Sequence, residues 1–270
     1  MRKMSRGRIW FEALAGAIPD GELASVLCAD GAVGGERARF LAVVPDPEAR
    51  FPRARGGELG LEEGCTLGRS VREAVAEDGD GDRRALVAVV DVPGQPYGYR
   101  EELLGLHLAL ASAVDAYATA RLAGHPVVAL VVGQAISGAF LAHGMQANRI
   151  LALDDPGVAV QVMSKRSTAR VTRRSVDELD RIAEEVPATA YDVGSFARLG
   201  VLDRLVEGVD ATHPDTEDVE TVRGALAEEI TSARHDGSTN LSSRLASPEA
   251  RQHRGASLRV RERLAEEWSG

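Results

Sequence analysis

The sequence predicts an α/β protein built on a largely parallel sheet. Residues 85–90 (ALVAVV) and 127–132 (VVALVV) are unbroken apolar runs of strand length, closed by Pro or Gly, as expected for strands covered on both faces. Leu- and Ala-rich stretches of helical pattern lie between such runs, so strand and helix alternate. Aromatic residues make up only 4% of the chain, so Val, Leu and Ala must fill the core, which suits buried strands under packed helices.

At 270 residues the chain fits one large domain with a tail, or two small domains. The composition favours a domain over residues 1–210, followed at 211–270 by a helix and a flexible tail. A net charge of -9 argues against nucleic acid as the main partner. Cys28 and Cys65 make no metal-type spacing, so no metal is expected and a reducing, cytoplasmic setting is. The basic start MRKMSRGRIW leads into no apolar h-region, which excludes a signal peptide. No run approaches the ~18 apolar residues that span a bilayer, so no membrane partner is expected.

In chain order, residues 8–17 read as a short helix. Residues 23–29 and 39–44 read as strands around a turn cluster at 30–35 (DGAVGG), a hairpin. Residues 58–77 are helical in pattern despite glycines at 60, 64 and 68. The acidic loop 77–82 lacks the ligand positions of a calcium loop. Strand 85–90 ends at Asp91-Val-Pro-Gly94, and residues 100–122 read as one long helix. Strand 127–132 runs into a small-residue turn, 133–139 (GQAISGA), and then a helix. Further strands are expected at 149–153 and 158–163. Ser175-Val-Asp-Glu178 reads as a capping box. A short helix over 191–200 and a last strand at 202–206 follow. Residues 235–255 carry few apolar side chains and read as a flexible tail, and 257–268 as an isolated amphipathic helix.

Ligands of parallel sheets sit at the carboxyl ends of strands. Both glycine turns, at Gly94 and at Gly133 to Gly138, fall there. A glycine turn lets substrate approach the backbone, and the helix behind it offers free N–H groups to a developing anion. Ser137 invites comparison with a nucleophile elbow, but that motif needs Gly where Ala135 stands, so Ser137 reads as a small residue that fits the turn. His143 and His107 read as packed or surface residues, and Asp154-Asp155, before Pro-Gly, as a solvated turn. The segment 165–174 holds Lys165, Arg166, Arg170, Arg173 and Arg174, with no acid between Pro156 and Val176. In an acidic chain such a run points either to a phosphate-bearing or acidic partner, or to a solvated helix face.

Several strings closely resemble the gamma subunit of biotin-independent malonate decarboxylase. They are Asp91-Val-Pro-Gly-Gln, Arg100-Glu-Glu-Leu-Leu-Gly-Leu-His-Leu-Ala-Leu-Ala and Gly133-Gln-Ala-Ile-Ser-Gly-Ala-Phe-Leu-Ala-His-Gly144. Phe51-Pro-Arg-Ala-Arg-Gly-Gly-Glu, Gln146-Ala-Asn-Arg-Ile, Asp155-Pro-Gly-Val, Ala169-Arg-Val-Thr and Ala190-Tyr-Asp add to the likeness, which runs from about residue 8 to 210. More distantly, the D-x-P-G turn and G-x-x-x-G-A look like one half of biotin-dependent carboxyltransferases. Both groups have the crotonase (ClpP/crotonase) fold, a spiral of ββα repeats with helices around it.

The resemblance implies a function. Such a gamma subunit joins a beta subunit, with the active site between them, and decarboxylates a malonyl thioester on an acyl carrier protein to acetyl-carrier and carbon dioxide. An alpha subunit recharges the carrier. The thioester arm is a coenzyme-A-derived group on the carrier, so this chain is expected to bind no cofactor of its own and no biotin. By the family pattern, the N–H groups of Gly138 and Ala139 form an oxyanion site, for the enolate or for the leaving carboxylate, with Gly94 and Gln95 beside it; Ser137 stands in the same turn and is kept as a candidate. Gln134, Lys165, Arg166 and Arg170 are the candidates for holding the acidic or phosphate-bearing parts of the substrate.

The chain departs from the family pattern at Gln134, where Lys is usual, at Ile136, where Met is, and at Ser164, where Gly is. Two other readings stay open: a stand-alone crotonase-fold acyl-coenzyme A enzyme, and a non-catalytic scaffold for the beta subunit. The first needs an acid on the helix after the turn, and Phe140-Leu-Ala-His-Gly-Met offers none. A serine peptidase of the same fold would depend on the Ser137 hydroxyl, which a decarboxylase would need little.

Overall fold

The computed structural model describes residues 4–16, 21–79, 81–237 and 239–268. Seven strands form one sheet: β1 (Val26–Val33), β2 (Glu36–Val43), β3 (Ala85–Val92), β4 (Val127–Ile136), β5 (Arg149–Leu153), β6 (Ala159–Gln161) and β7 (Arg204–Val206). Their order is β1-β2-β3-β4-β5-β7, with β6 paired to β4. β1 and β2 are antiparallel, and the other pairings are parallel. β3 is buried along all of its length but Asp91.

The β1–β2 turn is tighter than the turn cluster suggests. β1 continues to Val33, and the chain reverses at Gly34-Gly35, both at positive φ (57° and 83°), as a two-residue hairpin turn requires. Asp30 therefore lies in a strand, directly opposite Arg39. The two side chains make a two-pronged pair, with both N···O distances 2.8 Å. A neighbour 9 positions away was not visible from local sequence.

Before β4 come the helices α1 (Arg6–Ala15), α2 (Leu61–Asp78), α3 (Tyr99–Leu103) and α4 (Leu106–Leu122). α3 and α4 stand where a single helix is expected over 100–122. The break is at Gly105, whose φ of +86° no helix interior allows. The glycines inside α2 have a packing reason. A Cβ at Gly64 would lie 2.7 Å from the Ala109 carbonyl oxygen, and one at Gly68 would lie 2.9 Å from that of Ser112. The two helices touch backbone to backbone, and this gain outweighs the ~1 kcal/mol that each glycine costs a helix.

β4 is the strand that positions the site. Its near half pairs with β5 (Val128–Val131), and its far half, Gln134 to Ile136, pairs with β6. Residues 134–136, expected as part of a turn, are thus extended strand, because a distant segment supplies their hydrogen bonds. The β3–β4 register shifts between Val90 and Val92. At that irregularity the Asp91 carboxylate accepts the N–H groups of Gly7 and Gln134, both at 3.0 Å. A Cβ at Gly133 would lie 2.1 Å from Asp91 Oδ1, so only glycine leaves room for this brace.

After β4 come α5 (Ser137–Ala142), α6 (Lys165–Thr172), α7 (Val176–Glu185) and α8 (Val193–Arg198). The capping box at Ser175 and Glu178 forms, with both reciprocal hydrogen bonds in place. α9 (Thr216–Asp236) then crosses β1, β4 and β5 and buries Val222, Leu226 and Ile230. α9 falls in the segment 211–270, where the sequence reading places a helix only at 257–268, though an Asp215–Asp218 box opens α9 and its apolar spacing is helical. The indole of Trp10, fully buried in α1, donates to the Ala211 carbonyl at 3.0 Å and ties the N-terminal helix to this region.

The segment 235–255, expected as a flexible tail, holds α10 (Ser243–Ala246) and α11 (Pro248–His253). Arg244 is buried and donates to the carbonyls of Met145, at 2.8 Å, and Ala147. Arg121 donates to Gln146 of the same loop and to Thr239 at 2.9 Å. Two arginines thus clamp the loop that follows α5. α12 (Gly255–Trp268) buries none of its residues, matching the isolated helix expected at 257–268.

Candidate active site

The site is built where β4 passes into α5. Ser137 is the first residue of α5 and sits at φ +61°, one of two non-glycine residues at positive φ among the described residues. A left-handed serine costs about 1–2 kcal/mol, and such strain persists only where surrounding structure imposes it. Here β4, held by β3 and β6, sets the direction of entry. The N–H groups of Gly138 and Ala139 are in the first turn and have no acceptor within their own helix.

The β3–α3 loop lies beside them. Gly94, at φ +133°, is buried, and its carbonyl accepts the Leu59 N–H at 3.0 Å. Gln95 lies across Gly138: a Cβ there would stand 3.2 Å from Gln95 Nε2 and 3.3 Å from Oε1. Gln95 Nε2 donates to Tyr97 Oη at 2.8 Å, and Tyr97 Oη lies 2.9 Å from Ser137 Oγ. Gln95 Oε1 is buried without a hydrogen-bond partner.

Ser137 borders two cavities. One, of about 470 Å³, is the more polar of the two, with about half of its lining polar, and holds Arg53, Glu58, Gly94, Gln95, Tyr97 and Ser164 among its lining. The other, of about 400 Å³, is mostly apolar and includes Gly138, Phe140, Met145, Val160 and Phe196. Five expected residues, Gly94, Gln95, Ser137, Gly138 and Ala139, therefore come together. Gln134 is exposed and lines neither cavity, although its N–H braces Asp91. Lys165 pairs with Asp180 at 2.6 Å and lies over the Tyr191 ring. Arg166 and Arg170 are exposed on α6 and also lie outside both cavities. The cation in the more polar cavity is Arg53, which local sequence does not single out. Nor does it mark Tyr97, whose meaning lies in reaching Ser137 across 40 positions.

The nearby histidine is structural. His143 is fully buried, with Nδ1 3.0 Å from Tyr117 Oη and Nε2 3.2 Å from the Val89 carbonyl. Burial pushes its pKa down to about 4. It is neutral, with Nε2–H donating to Val89 and Nδ1 accepting from the Tyr117 hydroxyl. Asp155 is a turn residue, as expected: it accepts the Gly157 N–H at 2.7 Å and pairs with Arg6.

Residues 54–268 match the family model for the malonate decarboxylase gamma subunit. The chain belongs to that family. It is 52% identical to a chain of a Pseudomonas malonate decarboxylase hetero-tetramer solved in complex with coenzyme A, with a TM-score of 0.92 over 98% of this chain and 100% of that one. A chain of the Pseudomonas malonate decarboxylase MdcD-MdcE hetero-dimer is 49% identical, with a TM-score of 0.88 over 98% and 99%. A curated relative, the malonyl-S-ACP:biotin-protein carboxyltransferase MADD of Malonomonas rubra, is 38% identical over 165 residues, which are 60% of this chain and 56% of that protein. The transcarboxylase 12S core shares the fold alone, at 18% identity and a TM-score of 0.64 over 87% of this chain and 41% of that one. The chain thus has the crotonase-type carboxyltransferase fold that its motifs imply.

Proposed function

We propose that this family member is one half of a malonyl-carrier decarboxylase that works only beside a beta-type subunit. The observation that carries the reading is the strained β4–α5 turn, where the Gly138 and Ala139 N–H groups meet the Gln95 loop in a chain of this family. Decarboxylation of a malonyl thioester leaves an electron pair that delocalises onto the thioester oxygen as an enolate. Such chemistry needs fixed N–H donors at an anion more than it needs a base. One such donor is typically worth about 3–4 kcal/mol of barrier.

The half-site is open. Tyr97, Tyr99, Leu103, Leu104 and Leu108, on and just beyond the loop that carries Gln95, are all more than half exposed. Apolar surface of this kind beside a catalytic turn fits a partner subunit that completes the site. The solved relatives are hetero-dimers and hetero-tetramers, which supports a beta subunit as that partner. In this reading the acyl group arrives on the coenzyme-A-derived arm of a carrier protein, an alpha subunit recharges the carrier, and the chain itself binds no cofactor. In the same reading Arg53, which lines the cavity with Gln95 and Tyr97, meets the malonyl carboxylate, and the exposed Arg166 and Arg170 meet the carrier. Both cysteines are free thiols, which fits a cytoplasmic enzyme. No helix among the described residues is long and apolar enough to cross a membrane.

The rival reading of a stand-alone hydratase is disfavoured by α5, whose residues SGAFLA offer no carboxylate. The test is carbon dioxide release from malonyl-carrier by this chain with and without a co-expressed beta-type subunit. Activity only in the pair is expected. Full activity of the chain alone would sink the shared-site reading.

A further inference from the structure

The three-member chain Gln95–Tyr97–Ser137 is more than a loop brace. The Gln95 amide nitrogen is a donor only, so at 2.8 Å it occupies a lone pair of Tyr97 Oη. Ser137 Oγ, 2.9 Å from Tyr97 Oη, is within reach of the Tyr97 hydroxyl proton. With its oxygen accepting from Tyr97, Ser137 has its own proton free for a group in either of the two cavities it borders. The positive φ of Ser137 holds the hydroxyl there at a cost a glycine would not incur.

We propose that this chain is the proton supply of the reaction, with Ser137 as the catalytic donor and Tyr97 as the residue that recharges it. The inference rests on the decarboxylase reading above. Loss of carbon dioxide breaks the bond between the carboxyl carbon and C2 and leaves its electron pair on the enolate. The new C2–H bond forms as the Ser137 O–H bond breaks, and Ser137 Oγ takes the Tyr97 proton. The phenolate so formed spreads its charge over the ring and is held by the Gln95 N–H. Water in the cavity that Tyr97 lines reprotonates it, and the hydroxide left over converts carbon dioxide to bicarbonate. Charge and protons balance without any further reactant. Gln95 is a positioning residue: its amide sets the direction in which the chain conducts.

The test uses the complex with the beta-type subunit, malonyl-carrier as substrate, and acetyl-carrier in D2O. Tyr97→Phe removes one exposed hydroxyl, and Ser137→Gly removes the other while relieving the strained φ, so co-purification of both variants with the partner is expected. Each variant should lose about 100-fold in kcat with KM within about 3-fold, the scale of a lost acid–base group. Deuterium wash-in to the acetyl methyl group should fall in parallel. Labelled carbon dioxide should return to malonyl-carrier more often per turnover, because the enolate waits longer for a proton. Wild-type wash-in in either variant overturns the proposal, whether or not turnover falls. A wild-type complex that exchanges deuterium but releases no carbon dioxide overturns the decarboxylase reading instead, and the ratio of Tyr97→Phe to wild-type wash-in still decides the role of Tyr97.

Discussion

His143 provides a sharp test of how the site is supported, because its burial makes stability depend on pH. In the unfolded chain the imidazole titrates near its ordinary value of 6.5, and in the fold it stays neutral down to about 4. Its folded pKa is depressed, so the contribution of the neutral ring is fully present above about pH 6.5. It is lost as pH falls from there towards 4, since only the unfolded chain gains the proton. At about 1.4 kcal/mol per pH unit, the difference between 6.5 and about 4 amounts to about 3.5 kcal/mol. His143→Phe keeps the volume but deprives the Tyr117 hydroxyl of its acceptor and removes the hydrogen bond to the Val89 carbonyl. It should cost about 2–4 kcal/mol at pH 8, from one or two unmet buried polar groups. The assay is urea unfolding of both proteins from pH 8 to pH 4.5, with the imidazole nitrogens followed by NMR. The wild type should lose stability more steeply below pH 6.5 than the variant, so the gap between them narrows. Parallel stability curves, or an imidazole that titrates near 6.5 in the folded protein, would refute a buried neutral His143.

Three further outcomes follow from the same geometry. Gly138→Val should push the Gln95 amide off the turn and lower turnover of the assembled complex by about 100-fold or more, the scale of a lost oxyanion donor; unchanged turnover with intact assembly would favour the scaffold reading. Arg244→Ala should leave the Met145 and Ala147 carbonyls without their donor, costing about 2–4 kcal/mol in denaturant titration and loosening the loop behind α5, so a melting curve like wild type would show that the clamp is idle. Arg170→Glu should raise KM for acyl-carrier several-fold with little change in kcat, because the exposed side chain lies outside both cavities; an unchanged KM would remove α6 from carrier docking.

Local sequence determined a good deal of this protein. Apolar runs and glycine punctuation give β3, the first half of β4, β5 and the capped α7, because burial and capping are set by neighbours in the chain. The strings around Gly94 and Gly138 place the β4–α5 turn and the loop beside it, since a backbone turn shows in sequence as the residues that permit it. Pairing over long distance was decided only by tertiary structure. β6 turns Gln134–Ile136 from loop into strand, Asp91 demands the glycine opposite it, and Arg244 reaches back to clamp the α5 loop. Tyr97 is the clearest case. Nothing about a tyrosine two residues after Gln95 marks it until the fold carries its hydroxyl to Ser137. Composition and motif record what each residue can do, whereas the partner that gives it work is chosen by packing.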